Sequence, residues 1–230
     1  MSTTATHSSP SAGRWPKISR NSSDPPSAAS VNPEFERVVR RRRMTRSFTD
    51  EPVAAEVVDL VLDLARRGPS AGKTASLDFL VLEGTQTARY WDTTLPPAKR
   101  PAFPWPGLLD APVLIIPWVE PAAYVRRYSE ADKVSTGLGA GEDAWDVPYW
   151  WVDGGAATMT LLLAVEAVGL GALLFGLFGH EDAVRRAFGV PDAMRAIGGI
   201  AIGHAAPDRP SVSARRKRST FERVVHRGVW

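Results

Sequence analysis

The chain has 230 residues, 44% of them hydrophobic, which suits one domain with a sizeable core. It has no cysteine, so disulfides, thiolate metal sites and a thiol nucleophile are excluded. The net charge is only +3, but the arginines are clustered at residues 37–46 and 215–218, a pattern that suits an anionic partner: nucleic acid, acidic lipid or the phosphate of a small molecule.

Residues 1–32 are rich in Ser, Pro and Ala and cannot bury enough apolar surface to offset ordering entropy, so a disordered arm is expected there. They hold no apolar signal-peptide core, and the expected location is the cytoplasm. One domain then spans 33–230. Pro33 opens a helix over 34–42, with Phe35, Val38 and Val39 on its apolar side. After an extended link at 45–49, a second helix covers 53–67, with Val57, Leu60, Val61 and Leu64 on one face. Gly68-Pro69-Ser70-Ala71-Gly72 ends it as a loop. A strand at 77–82, a short helix at 85–93, a Pro-rich irregular stretch at 95–110, a strand at 112–119 and a helical turn at 121–128 follow. Residues 129–147, with Gly137, Gly139 and Gly141, read as a long exposed loop of the kind that forms lids.

The most apolar stretch comes next. Between Gly154 and Phe178 the only ionisable residue is Glu166. Asp153 is expected as the helix N-cap, and Gly169-Leu170-Gly171 as its end. A helix over 154–168 is about 22 Å long, short of a bilayer core of about 30 Å, so the expectation is a central helix of a soluble protein rather than a membrane span. Residues 172–177 are extended, 180–188 helical, 197–203 a strand, 207–213 a loop, and the tail from 214 alternates basic and apolar residues. Helices first, then strands and helices mixed, indicate an α+β fold.

Four features carry chemistry, and each has a plain structural alternative. Arg42-Arg43-Met44-Thr45-Arg46 presents guanidiniums that pair with phosphate, or coats a surface. The small residues of Pro69-Ser70-Ala71 let a flat ring approach the backbone, or merely cap a helix. Leu174-Phe175-Gly176 offers an extended apolar wall, or a buried strand. Arg216 and Arg218 complete a phosphate clamp, or belong to a basic tail. A dinucleotide fingerprint, a Walker loop and a G-x-S-x-G elbow are all missing. The four histidines are isolated, without the spacing of a metal site.

In order and spacing these features resemble the nitroreductase family of FMN-dependent oxidoreductases over about residues 33–230. The resemblance rests on Arg42, Arg43, Arg46 and Phe48 ahead of a helix and on Pro69-Ser70 at that helix's end. Gly-Leu-Gly after a long buried helix and a basic tail running into residues 221–225 complete it. It implies a mixed central sheet flanked by helices, in an entwined homodimer with two FMN sites at the subunit interface. Arg42, Arg43 and Met44 would then lie along the ribityl phosphate, with Arg216 and Arg218 on the phosphate itself. Arg46 would sit at the pyrimidine edge, where its charge favours the negative charge of a reduced ring. Pro69, Ser70 and Ala71 would face the flavin across the dimer, and Leu174, Phe175 and Gly176 would back the ring. Lys73, Ala75 and Leu77 depart from common family residues.

The implied activity passes electrons by a ping-pong route from NADH or NADPH to an electron-poor small molecule: a nitroaromatic, a quinone or an activated alkene. No essential protein acid or base is implied, and Trp145, Tyr149 and Trp150 are candidate substrate-stacking walls. The rival is a flavin-binding protein for storage or sequestration, without turnover. A nucleic-acid partner is disfavoured, because the arginine clusters lack any recognition fold or aromatic platform.

Overall fold

The computed structural model describes residues 31–209 and 211–230, so the reading of the N-terminal arm falls outside the described residues. The elements run α1 (Pro33–Arg41), α2 (Ala55–Ala65), β1 (Leu77–Glu83), α3 (Thr85–Thr94), β2 (Val113–Val119), α4 (Pro121–Tyr128), α5 (Tyr149–Ala167), β3 (Gly171–Phe175), α6 (Glu181–Phe188), β4 (Arg195–Ala196), β5 (Gly199–Gly203) and α7 (Phe221–Val224). Some helix boundaries follow simple chemistry. Asn32 caps α1 by accepting from the amides of Glu34 and Phe35, and Pro33 takes the first helical position, where no amide hydrogen is needed. Gly189, left-handed at φ 68°, ends α6.

The sheet has the order β1-β2-β5-β3, with β4 beside β2, and every pairing between these strands is antiparallel. A parallel contact comes from the extended segment after α1, where Met44 bridges Ala172 of β3. The central strand β2 is buried along its whole length. Its side chains alternate: Val113 and Ile115 pack with α2 and α5, whereas Leu114, Ile116 and Trp118 pack with Tyr90 and Trp91 of α3 and Val184 of α6. Pro117 has no amide hydrogen to give the neighbouring strand. The ladder to β5 accordingly stops at Ile115 and resumes as β4 at Trp118.

The central helix differs from its expected form at its start. It starts at Tyr149 behind Pro148, so Asp153 lies inside it and is not its N-cap. The two tryptophans that precede Asp153 belong to the first turn, and Trp150 is drawn into the core. The helix is not covered on every side. Gly154 lies against Ile197, where an added Cβ would come within 2.3 Å of that side chain. Val152 and Met159, by contrast, are exposed, and so is Gly155, with nothing near it. Glu166, the lone acid in this stretch, pairs with Arg41 of α1 at 3.3 Å. Among the described residues no helix is long and apolar enough to cross a membrane.

The 129–147 stretch is mostly exposed, as expected of a loop, but it is folded rather than open. Three short 3-10 turns fold it back on α4, and Trp145 anchors it by donating its indole N–H to the Leu138 carbonyl at 3.0 Å.

Candidate functional site

The arginine clusters meet. Residues 42–46 leave α1 in extended form and run beside β3, with the Thr45 amide donating to the Ala172 carbonyl at 2.9 Å. This close approach requires a glycine at 171, since a Cβ there would lie 2.8 Å from the Thr45 hydroxyl. Further along, Phe48 bridges Ala205, and the Ala206 amide donates to the Ser47 carbonyl. Those contacts bring in the segment after β5, and with it the C-terminal arginines.

The result is a cleft of about 620 Å³ lined by six arginines, Arg42, Arg43, Arg46, Arg209, Arg216 and Arg218, together with Met44 and Asp208. Nη1 of Arg42 is buried there without a hydrogen-bond partner. A buried guanidinium nitrogen left unmatched is costly, and an oxyanion entering the cleft would satisfy it. Asp208, the carboxylate in the lining, accepts from the Arg46 amide at 2.9 Å and so serves the backbone. The Arg46 guanidinium donates to the Met44 carbonyl at 3.3 Å and stands 5.3 Å from the centre of the Trp105 ring. Arg209 stands 4.8 Å from the same ring, and a second hollow of about 390 Å³ continues past it. Arg209 also donates to the Pro104 carbonyl, so both guanidiniums over this indole are tied to backbone oxygens.

Leu174, Phe175 and Gly176 lie at the end of β3, on the strand that carries the arginine segment. Their side chains take opposite faces of the sheet. Leu174 packs with the α2/α5 cluster, and the Phe175 ring stacks on Trp91 at 5.8 Å and 23°. Phe175 is therefore no open wall, the Phe178 ring covers Gly176 at 3.1 Å from where a Cβ would stand, and none of the three lines the arginine cleft. Phe178, three residues beyond Phe175, is 88% exposed and holds φ 48°, a strained value for an aromatic residue.

Pro69 and Ser70 do not reach the arginine cleft in one chain. They line a separate hollow of about 140 Å³ between α2, β1 and α5. Asp153 accepts there from the Ala71 amide and from the Tyr124 hydroxyl, both at 2.7 Å. Burial pushes the Tyr124 hydroxyl well above the usual phenol range, so it stays a donor. Lys73, at the far end of the loop, is exposed and left-handed at φ 57°.

The aromatic candidates are redistributed. Trp145 and Trp150 are 6% and 5% exposed and pack edge-on against Tyr124 and one another, so they are core residues rather than open walls. Of the three, Tyr149 is exposed. Reasoning from the sequence passed over Trp105, Asp208 and Arg209. The first sits in a Pro-rich stretch and the other two in a loop, and no periodic or motif signal marks any of them.

The model of the nitroreductase family matches residues 39–204. A protein of Methanothermobacter thermautotrophicus, provisionally named NADH dehydrogenase/NAD(P)H nitroreductase, is 29% identical over 174 residues, covering 73% of this chain and 75% of its own length. Among solved structures, a nitroreductase family protein from Streptococcus pneumoniae superposes with a TM-score of 0.65 at 17% identity, over 84% of this chain and 99% of that one. An FMN-dependent nitroreductase from Clostridium difficile gives 0.59 at 17% identity, over 84% and 98%. The family match spans the sheet, the three apolar clusters and the arginine segment 42–46; this chain belongs to the nitroreductase family.

Proposed function

We propose that the chain is an FMN-dependent oxidoreductase that moves electrons from NADH or NADPH to an electron-poor small molecule such as a nitroaromatic, a quinone or an activated alkene. The observation that carries this reading is the cleft where arginines from both ends of the domain meet, with Nη1 of Arg42 left unmatched. That donor set fits a phosphate dianion, because guanidiniums stay charged and offer paired N–H groups to its oxygens. Arg42, Arg216 and Arg218 would hold the phosphate, with Arg43 and Met44 along the ribityl chain. When bound, FMN supplies a two-electron carrier that can accept hydride from a nicotinamide and release electrons to an acceptor.

The protein's part is to bind and tune. Arg46, kept in place by its own backbone contact to Asp208 and by Trp105, would hold a positive charge at the pyrimidine edge of the ring. The backbone of residues 174–176 would back the ring. Pro69-Ser70-Ala71 would close the other side from a partner subunit, which agrees with its distance from the cleft lining in one chain. The exposed Val152 and Met159 on α5 and the exposed Phe221 and Val224 on α7 suit burial in a homodimer of the kind the family forms.

Purified protein, stripped and reconstituted with FMN, tests the reading. The expected result is a flavin absorbance spectrum together with sustained NADH or NADPH oxidation when a quinone or nitroaromatic is added. Protein that takes up no FMN sinks the proposal. Protein that takes up FMN but turns over no donor with either acceptor supports storage instead.

A further inference from the structure

Asp153 lines the hollow beside Pro69 and Ser70 and not the arginine cleft, yet it has a specific task. It lies on α5 with Oδ2 accepting two hydrogen bonds at 2.7 Å, one from the Ala71 amide and one from the Tyr124 hydroxyl. The Ala71 amide belongs to the 68–72 loop, whose own turn contacts are few: Thr74 closes back on the Ala71 carbonyl through both its amide and its hydroxyl, and the Lys73 amide reaches the Ser70 carbonyl. The other end of the loop is held by a second long-range bond, from Nε of Arg127 to the Gly72 carbonyl at 2.8 Å. Arg127 is itself fixed by Asp132 and Glu130. Tyr128 fills the space beside Gly72, where a Cβ would come within 2.9 Å of its ring. At the second anchor and just beyond it the backbone carries consecutive left-handed residues, Gly72 at φ 63° and Lys73 at φ 57°. A left-handed lysine is disfavoured and persists only where its surroundings impose it.

We propose that Asp153 is a positioning residue, which sets the conformation of the Pro69-Ser70-Ala71 loop and thereby the wall that the loop presents to the isoalloxazine ring. The proposal rests on the flavin reading above and extends it to a residue outside the cleft. A loop already held in its bound shape spends less of its binding free energy on ordering. A carboxylate with two donors on one oxygen holds that shape more strongly than a neutral acceptor does. The anchor is also placed on α5 next to Val152, which is exposed, so the helix that would meet the partner subunit is the one that holds the loop.

The ring-facing role separates cleanly from the phosphate-facing one. Riboflavin has the ring and lacks the phosphate. Asp153→Ala, Asp153→Asn, Tyr124→Phe and the unsubstituted chain are compared by fluorescence titration of stripped protein with FMN and with riboflavin, and by hydrogen exchange of the Ala71 amide. Asp153→Ala should weaken both flavins by the same factor, about tenfold, which corresponds to ~1.4 kcal/mol, and should speed Ala71 exchange. Asp153→Asn keeps an oxygen with two lone pairs at the same place and should restore both affinities to within about threefold. Tyr124→Phe removes one bond with the packing retained and should fall between, which keeps the test open if the alanine variant folds poorly. Faster Ala71 exchange with both flavin affinities unchanged overturns the inference, and so does a loss confined to FMN. An unsubstituted chain that binds neither flavin fails the flavin reading itself. That outcome is distinct from unsubstituted protein that binds both while the variants bind equally well.

Discussion

Arg40 and Arg42 are two residues apart in one basic run, and the fold treats them in opposite ways. On α1, Arg37 pairs with Glu34, Arg40 with Glu36 at 2.7 Å, and Arg41 reaches across to Glu166. The first two pairs are exposed i,i+3 and i,i+4 contacts, which contribute little to stability. Arg42 follows the last helical residue, where the chain turns into its extended path beside β3, and its Nη1 is carried inside without a partner. The residue type is the same throughout. What separates Arg40 from Arg42 is whether an acid of the same chain has already matched it, and that depends on where the helix stops.

The comparison can be broken most severely at Arg42 and Arg218. Loss of either should weaken FMN by about 10- to 150-fold, the equivalent of roughly 1.5–3 kcal/mol per charge-assisted contact, with riboflavin affinity unchanged. Equal FMN affinity in both single alanine variants, measured by fluorescence titration, would return the whole run to the surface class. A smaller effect comes from the contact that holds the extended path. Gly171→Ala places a Cβ within 3 Å of Thr45. Overpacking of that kind costs about 1–3 kcal/mol, so thermal melting should fall by about 2–4 °C per kcal/mol. FMN affinity should fall with it, because the displaced segment carries Arg42 and Arg46; melting that falls with FMN affinity intact would uncouple the β3 contact from the cleft.

Ionic strength gives a third test. Raising salt from 0.1 M, where the screening length is ~10 Å, towards 1 M should weaken FMN by a modest factor and leave riboflavin alone. A parallel loss of both would indicate a general effect on the fold. The smallest expected effect sharpens the contrast from the other side. Arg40→Ala should leave melting temperature and FMN affinity the same within error, as surface pairs generally do. A clear drop in FMN affinity would place α1 in the binding surface after all.

Much of the fold was legible along the chain, because its signals are local. An unbroken apolar run such as residues 113–119 is compatible with burial on both faces, and the structure buries both. Asn32-Pro33 marks a helix start by side-chain and ring chemistry, and Gly189 marks a helix end by its backbone freedom. The two arginine groups were legible as groups, and the order of motifs was enough to suggest the family and the α+β class. Asp153 was misread for a related reason. An acid ahead of two glycines looks like a cap, but Pro148 starts the helix earlier and a tertiary partner, the Ala71 amide, recruits the carboxylate. Trp145 and Trp150 were misread because sequence shows the number of aromatic rings near a glycine-rich loop and not which way they turn.

The sequence by itself determined most of the helices and strands, the apolar run of the central strand and the stock of positive charge, since each follows from side-chain chemistry over a few residues. The tertiary structure decided which charges remain unmatched. It took the pairing of Thr45 with Ala172, over 127 residues of chain, and of Ser47 with Ala206 to bring both arginine groups into one cleft. No short-range pattern encodes that meeting, because it depends on the sheet order β1-β2-β5-β3, which sets the edge of β3 beside the arginine segment.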